Sequence, residues 1–323
     1  MKIAFISQPE YFRAHYSVDM NFATEVKEFI FHFSMSENDF KDLEKFDADI
    51  NIFFRGEFFP NAVLKKLNGL KIAISSEPFP NYIQDQLNYT NDSFSRFFIF
   101  EQIRLLKFDY VFHYDKSSLQ FLQEQNINLS GDFTLPVDTD IYKKDNLKKD
   151  WDIFFIGRST PYREKFLGNI KHYNNILHIA HGIYGKRLVE YCNKSKIVLN
   201  LHAENEVSWE PRVQMLMATG GFLMSHKITP NDILIPNVDY VEVDMNDPID
   251  LYEKVKFYLK NDSEREEIAK NGYQKIKKYF HAKDNFEKLI QDILQDKYMK
   301  FNADQNVSKF YFRKLLLKLD KFL

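Results

Sequence analysis

A single cysteine, Cys192, in 323 residues leaves this chain no partner for an intrachain disulfide and no thiols for a cysteine-based zinc cluster. It falls in "LVEYCNKSKIVLN", where a helical pattern gives way to a strand, so a buried structural thiol is expected. Long apolar runs are missing too: none approaches the roughly 18 residues of a membrane span. The opening "MKIAFISQPEYF" carries an apolar stretch too short for a signal-peptide core, which predicts a chain that stays in a reducing cytoplasm. There is no excess of one charge. Lys and Arg number 44 against 46 Asp and Glu, a net charge of −2, so a general basic field is excluded and nucleic acid is not an expected partner. Any anion site must be local.

Glycine-rich phosphate loops are absent as well. Neither GxGxxG nor GxxxxGK[ST] occurs, which argues against dinucleotide oxidoreductases and P-loop kinases. No His-x-x-x-His or carboxylate cluster has metal-ligand spacing, so no metal is expected. Short-period repeats and low-complexity segments are lacking.

What the chain does have is alternation. Short β-type runs, "KIAFI" (2–6), "INIFF" (50–54), "KIAIS" (71–75), "YVFHY" (110–114) and "FTLP" (133–136), are separated by stretches with helical spacing such as 94–107. The polar segment 137–150 reads as a linker. A second series follows: "WDIFFIG" (151–157), a helix from about Tyr162, "ILHIA" (176–180), a helix over 184–193, "KIVLNLH" (196–202), a helix of about ten residues from Pro211, "GFLMS" (221–225) and "YVEV" (240–243). Helices are predicted over 248–259, 263–279 and 283–294. Alternating strands and helices predict doubly wound, largely parallel sheets, and the length predicts two domains. The boundaries fall at 1–140 and 141–295, with a basic amphipathic helix in 296–323. Its part 305–323 could rest on an anionic bilayer, or pack on the protein with its cations in water.

In such sheets ligands gather at the carboxyl ends of the strands, where helix N-termini present free N–H groups. Two stretches stand out. In "FFIGRSTPYREKFL" the strand ends at Gly157, and Arg158 and Arg163 flank the turn into a helix, where guanidinium forks suit phosphate oxygens. In "EPRVQMLMATGG" Pro211 opens a helix, and Gly220-Gly221 closes it in the positions that favour those residues. Arg212 then sits against the positive end of the helix dipole. Either a bound anion or an ion pair with Glu206 or Glu210 accounts for it. His178, His181 and His202 stand at or just after strand ends.

These segments, with "DYVFHYDKSSLQFL", "LPVDTDIY", "YGKRLVEYCNKSKIVLNLH" and "KNGYQKIKKYFHAKDNFEKLI", occur in an order that resembles the CgeB-like, spore-maturation-protein-type branch of the GT-B glycosyltransferases, over about 108–290. The resemblance implies an α/β fold of two Rossmann-like domains facing across a cleft. It implies a nucleotide-sugar donor on the C-terminal domain, a glycan, lipid-linked or protein acceptor on the N-terminal one, and no cofactor or required metal. By position it assigns Arg158, Arg163 and Arg212 to the donor diphosphate and adds Tyr184, Gly185, Asn200 and His202; Glu210 joins them as a donor-site candidate. Where the family has a Glu, this chain has Met215. Glu206 or Glu210 could substitute, or the chain could be an inactive nucleotide-sugar-binding module. For deprotonating an acceptor hydroxyl the candidates are Glu77, Glu57, His15 and Asp19. Aromatics in the same loops, including Tyr11, Phe12, Phe58, Phe59, Phe79 and Tyr82, could stack on sugars, although most aromatics in such a chain are core.

Overall fold

The computed structural model describes every residue except Phe33, Glu206, Pro230 and 305–323, so part 305–323 of the expected terminal helix and one candidate counter-ion lie outside the described residues, while 296–304, expected in that helix, is not helical and holds a short strand at Asn302–Ala303. The chain divides into two compact units. Unit 1 comprises Met1–Phe12, Val18–Thr134 and the chain from Glu287 onward; unit 2 comprises Arg13–Ser17 and Leu135–Phe286.

In unit 1 the strands β1 (Lys2–Ser7), β2 (Glu25–Ile30), β3 (Ile50–Phe54), β4 (Leu70–Ser75), β7 (Tyr110–His113) and β9 (Gly131–Asp132) form a six-stranded sheet in the order β2-β1-β3-β4-β7-β9. Every neighbouring pair is parallel. A hairpin, β5 (Asn81–Ile83) with β6 (Gln86–Asn88), follows β4, and β8 (Ile127–Asn128) pairs with β15 (Asn302–Ala303). Helices α1 (Pro9–Phe12), α2 (Lys41–Phe46), α3 (Asn61–Leu64), α4 (Asn91–Phe100) and α5 (Leu119–Glu124) fill the crossovers. One core cluster gathers Ala4, Ile6, Phe53, Ala73 and Val111 from the strands with Leu43, Val63, Phe97 and Leu122 from the helices.

Unit 2 holds a five-stranded sheet in the order β11-β10-β12-β13-β14, built from β10 (Trp151–Ile156), β11 (Ile176–Ile179), β12 (Ser195–Asn200), β13 (Phe222–His226) and β14 (Val241–Val243). It too is parallel throughout. The helices are α6 (Pro161–Tyr173), α7 (Gly185–Asn193), α8 (Arg212–Ala218), α9 (Pro248–Tyr258), α10 (Asp262–Tyr279) and α11 (Ala282–Leu294), the last running on into unit 1. Strand alternation assigns each face its own core. Ile153, Phe155, Ile197, Leu199, Phe222 and Met224 pack with Phe166, Leu167 and Ile170 of α6 and Leu251 and Val255 of α9. Phe154, Val198 and Leu223, one residue out of step, pack with Leu188, Val189 and Cys192 of α7 and Val213 and Leu216 of α8. Burial of both faces explains why these strands read as unbroken apolar runs.

Three expectations change. The run 133–136 is not a strand; pairing ends at Asp132, and Pro136 carries no N–H to continue a ladder. Segment 137–150 is not a free linker, because Val137, Asp138, Thr139 and Tyr142 are buried in unit 2. The expected ten-residue helix from Pro211 is α8, seven residues long, with Pro211 as its N-cap and Gly220 beyond its end at φ +71°, a left-handed angle that suits glycine.

Candidate active site

The carboxyl ends of β10, β12 and β13 bring together most of the residues singled out in unit 2. After β10 the chain passes through buried Gly157 and exposed Arg158 and Ser159 to half-buried Thr160. Thr160 is the N-cap of α6: its side-chain oxygen accepts from the Arg163 N–H at 3.2 Å, and its hydroxyl donates to the Ala203 carbonyl at 2.8 Å. Pro161 follows in the first turn, and together these fix where the helix starts. Arg163, one turn in, is thereby aimed back along the strand ends. Its Nε and Nη2 donate to the Leu201 carbonyl at 2.9 and 2.8 Å, and Nη1 donates to the Arg158 carbonyl at 3.0 Å. Its guanidinium lies 5.4 Å from the centre of the Phe155 ring. Burial, and then the charges of Arg212 and Arg158 against the pull of Glu210, push it down to about 10, so it stays a cation at neutral pH.

Arg212 approaches from α8. Nε donates to Asn200 Oδ1 at 3.1 Å, Nη1 donates to the Ile156 carbonyl, and Nη2 donates to the Glu210 carboxylate. Asn200 is held in turn, since its Nδ2 donates to Ser225 Oγ at 3.0 Å, and the Ser225 hydroxyl donates to the His226 carbonyl at 2.7 Å. The His202 N–H donates to His226 Nδ1 at 3.1 Å, which puts the ring proton of a neutral His226 on Nε2. Burial raises the Glu210 carboxyl, but Arg212, His202 and Arg163 outweigh it and hold the group at about 2. Glu210 is therefore an anion at any working pH.

Gly157 marks where the two side chains converge. A Cβ placed there would lie 3.1 Å from Arg163 Nη1 and 3.2 Å from Arg212 Nη1, so a side chain at this position would crowd both guanidinium tips. Arg158, at the same turn, is close enough to depress Arg163. His178, on β11, has Nε2 2.8 Å from the Gly157 carbonyl and holds the turn from the other side.

The remaining candidates are placed as follows. Tyr184 is the N-cap residue of α7, and the Gly185 N–H donates to the Tyr142 hydroxyl at 3.0 Å. Met215 is buried in the core beside Leu216 and Met217. In unit 1, Glu57 is buried in the turn after β3 and accepts from Arg55 Nε at 2.6 Å. Glu77, after β4, is ion-paired on one oxygen with Arg55 and on the other with Arg96. Arg55 itself takes a left-handed φ of +59° and covers the Phe58 ring at 4.9 Å. His15 belongs to unit 2, not to the first domain: its Nδ1 faces the Pro136 carbonyl at 2.8 Å, and burial pushes it down to about 4. Among the loop aromatics, Phe12 stacks on Phe54, Phe59 meets Phe40 and Phe53, and Phe79 stacks on His113, so these serve packing; Tyr11 is exposed.

Sequence reasoning missed Gly157 as a point of close approach, Thr160 as the residue that aims Arg163, and the Ser225-His226 pair. The one available signal for the pair was two polar residues ending the apolar run "FLMSH". Among the described residues, no group of three or more His, Cys, Asp or Glu is placed to hold a metal ion, and no helix is long and apolar enough to cross a membrane.

Residues 146–291 match the family model described as glycosyl transferase-like. No curated protein sequence matches the chain. Among solved structures it is similar to a sucrose-phosphate synthase from Thermosynechococcus elongatus, at 12% identity and TM-score 0.58 over 91% of this chain and 98% of that one. It is also similar to an alpha-glucosyltransferase in complex with UDP and a 13-mer DNA, at 13% identity and TM-score 0.58 over 91% and 99%. A third is T4 phage BGT in complex with UDP and Mn2+, at 14% identity and TM-score 0.53 over 90% and 99%. At these identities the likeness to the solved structures is one of fold.

Proposed function

We propose that this chain, whose residues 146–291 match a glycosyl transferase-like family model and whose fold is of the GT-B type, is a glycosyltransferase that moves a sugar from a nucleotide-activated donor to a glycan or glycoconjugate acceptor, the donor diphosphate lying against Arg158, Arg163 and Arg212. The observation that carries this reading is the convergence of two guanidinium groups on Gly157 at the carboxyl edge of a parallel sheet, with a third arginine at the same turn. As the bond from the anomeric carbon to the diphosphate oxygen breaks, negative charge grows on the leaving oxygen. Cations already fixed by backbone carbonyls stabilise that charge without reorganising. Arg163 supplies fixed positive potential from below. Arg212 and Arg158, the more accessible two, are the groups assigned to phosphate oxygens. The chemistry asks nothing of a metal ion in this reading. On the acceptor side Glu77, bridged by two arginines, is assigned to positioning and not to proton abstraction, because both its oxygens already accept charged hydrogen bonds.

The test is a titration of the full chain with nucleoside mono- and diphosphates, followed by turnover of the matching nucleotide sugars. Diphosphates are expected to bind more tightly than monophosphates, and Arg212→Ala is expected to lower turnover by about a hundredfold, close to 3 kcal/mol in the barrier. Activity should survive exhaustive dialysis against EDTA. Equal affinity for mono- and diphosphates, or full turnover in Arg212→Ala, would overturn the assignment.

A further inference from the structure

Arg212 reaches the site with each of its three guanidinium nitrogens donating to a partner. Its three hydrogen-bond partners differ in kind. The Ile156 carbonyl is the last of a sheet strand and cannot move without unravelling β10. Asn200 is fully buried and tied to Ser225. Glu210 alone stands outside regular structure, in the irregular segment between β12 and α8. Its side chain and that of Arg212 are 22% and 21% exposed, so the pair at this edge of the guanidinium is only partly buried. A phosphate that is to grip Arg212 through two N–H groups needs that edge.

We infer that Glu210 is a resident counter-anion, occupying on Arg212 the place of a diphosphate oxygen and giving way when the donor binds. This rests on the donor-site reading above and adds a regulatory element to it. The carboxylate keeps the guanidinium in its working orientation while the site is empty. It also sets a charge penalty on every incoming anion, so that a multiply charged diphosphate displaces it where a single charge does not. After transfer, its return to Arg212 competes with the bound nucleoside diphosphate and speeds product release.

The inference predicts the opposite of what a ligand residue would show. Glu210→Gln keeps the shape and removes the charge, and is expected to bind both UDP and inorganic pyrophosphate about tenfold more tightly than the parent chain in calorimetric titrations. Glu210→Asp keeps the charge and should stay within about threefold of the parent. Unchanged or weakened binding of pyrophosphate by Glu210→Gln overturns the inference, as does a loss confined to UDP, which would make Glu210 a ligand of the nucleoside. A single cooperative unfolding transition of the variant, with its midpoint well above the titration temperature, excludes a folding defect as the source of any change. The two readings fail separately. If the parent binds UDP and Arg212→Ala does not, the donor site stands whatever Glu210→Gln does. If neither the parent nor Glu210→Gln binds either probe, both readings fall together.

Discussion

A guanidinium has five N–H donors, and at Arg163 three of its nitrogens are turned onto main-chain oxygens of Leu201 and Arg158. Arg158 is exposed at the same turn. Two arginines five residues apart, equal in the sequence, therefore have different work. Replacement of Arg163 by Met strands the buried Leu201 carbonyl and frees that of Arg158, and is expected to destabilise the chain by on the order of 3 kcal/mol, read from the urea midpoint. Arg158→Ala should leave that midpoint within about 0.5 kcal/mol while lowering nucleotide-sugar turnover. A reversed ranking would mean that Arg163, not Arg158, is the freer group. The sequence showed that cations cluster here, since strand ends followed by arginines are visible as a pattern. It could not show what holds them, because the acceptors are backbone oxygens brought close only by the sheet. Glu210 was legible as a partner for Arg212, yet the partial exposure of the pair was not.

At the scale of elements, α6 illustrates how a cap becomes part of a site. Thr160 closes the first turn and ties the turn to Ala203, beyond the end of β12. Thr160→Ala removes both contacts and is expected to cost about 1 kcal/mol in stability. Thr160→Ser, which keeps the hydroxyl, should restore most of it. If the cap also aims Arg163, diphosphate affinity falls in the Ala variant and recovers in the Ser variant, whereas a purely local role leaves affinity unmoved. Most of the second sheet was readable because strands buried on both faces are continuous apolar runs with turn residues at each end. Strand β2 was not readable: "EVKEFI" sits at the sheet edge with Glu25, Glu28 and Ile30 exposed, so burial imposes no apolar pattern on it. The helix boundaries after residue 248 were close to the observed ones, since Pro248 at an N-terminus and long amphipathic spacing fix them locally.

Among the buried histidines of the described residues, His15, His113 and His226 are held in neutral form. Burial pushes His15 down to about 4, against a hydrogen bond to Pro136 that raises it, and His113 and His226 down to about 3. An unfolded histidine takes up its proton near its ordinary 6.5, so below that pH the unfolded chain binds more protons and stability falls as the pH drops towards 3. Glu210, held at about 2, acts in the same direction: its contribution is present above its ordinary 4.5 and is lost as the pH falls through 2. Asp115 opposes them. Burial raises it to about 6, so its contribution is present below its ordinary 3.8 and is lost as the pH rises through 6. With three histidines and Glu210 against Asp115, the denaturation midpoint should decline steadily from pH 6.5 downwards, each histidine contributing on the order of a few kcal/mol. His113→Phe, which retains the stack on Phe79, should flatten that decline by close to one proton. An unaltered slope would show that His113 is not neutral in the native state.

Residues 13–17 belong to unit 2 although they are separated from the rest of it by more than a hundred positions of chain. Arg13 pairs with the nearly inaccessible carboxylate of Asp138 at 2.7 Å, and His15 meets Pro136. Anyone who clones the contiguous piece 135–286 to study nucleotide binding in isolation will thus leave behind a buried negative charge with its cation gone and a peptide oxygen stripped of its partner. A stand-alone version of this half calls for a permuted gene in which the missing pentapeptide is spliced back on through a linker.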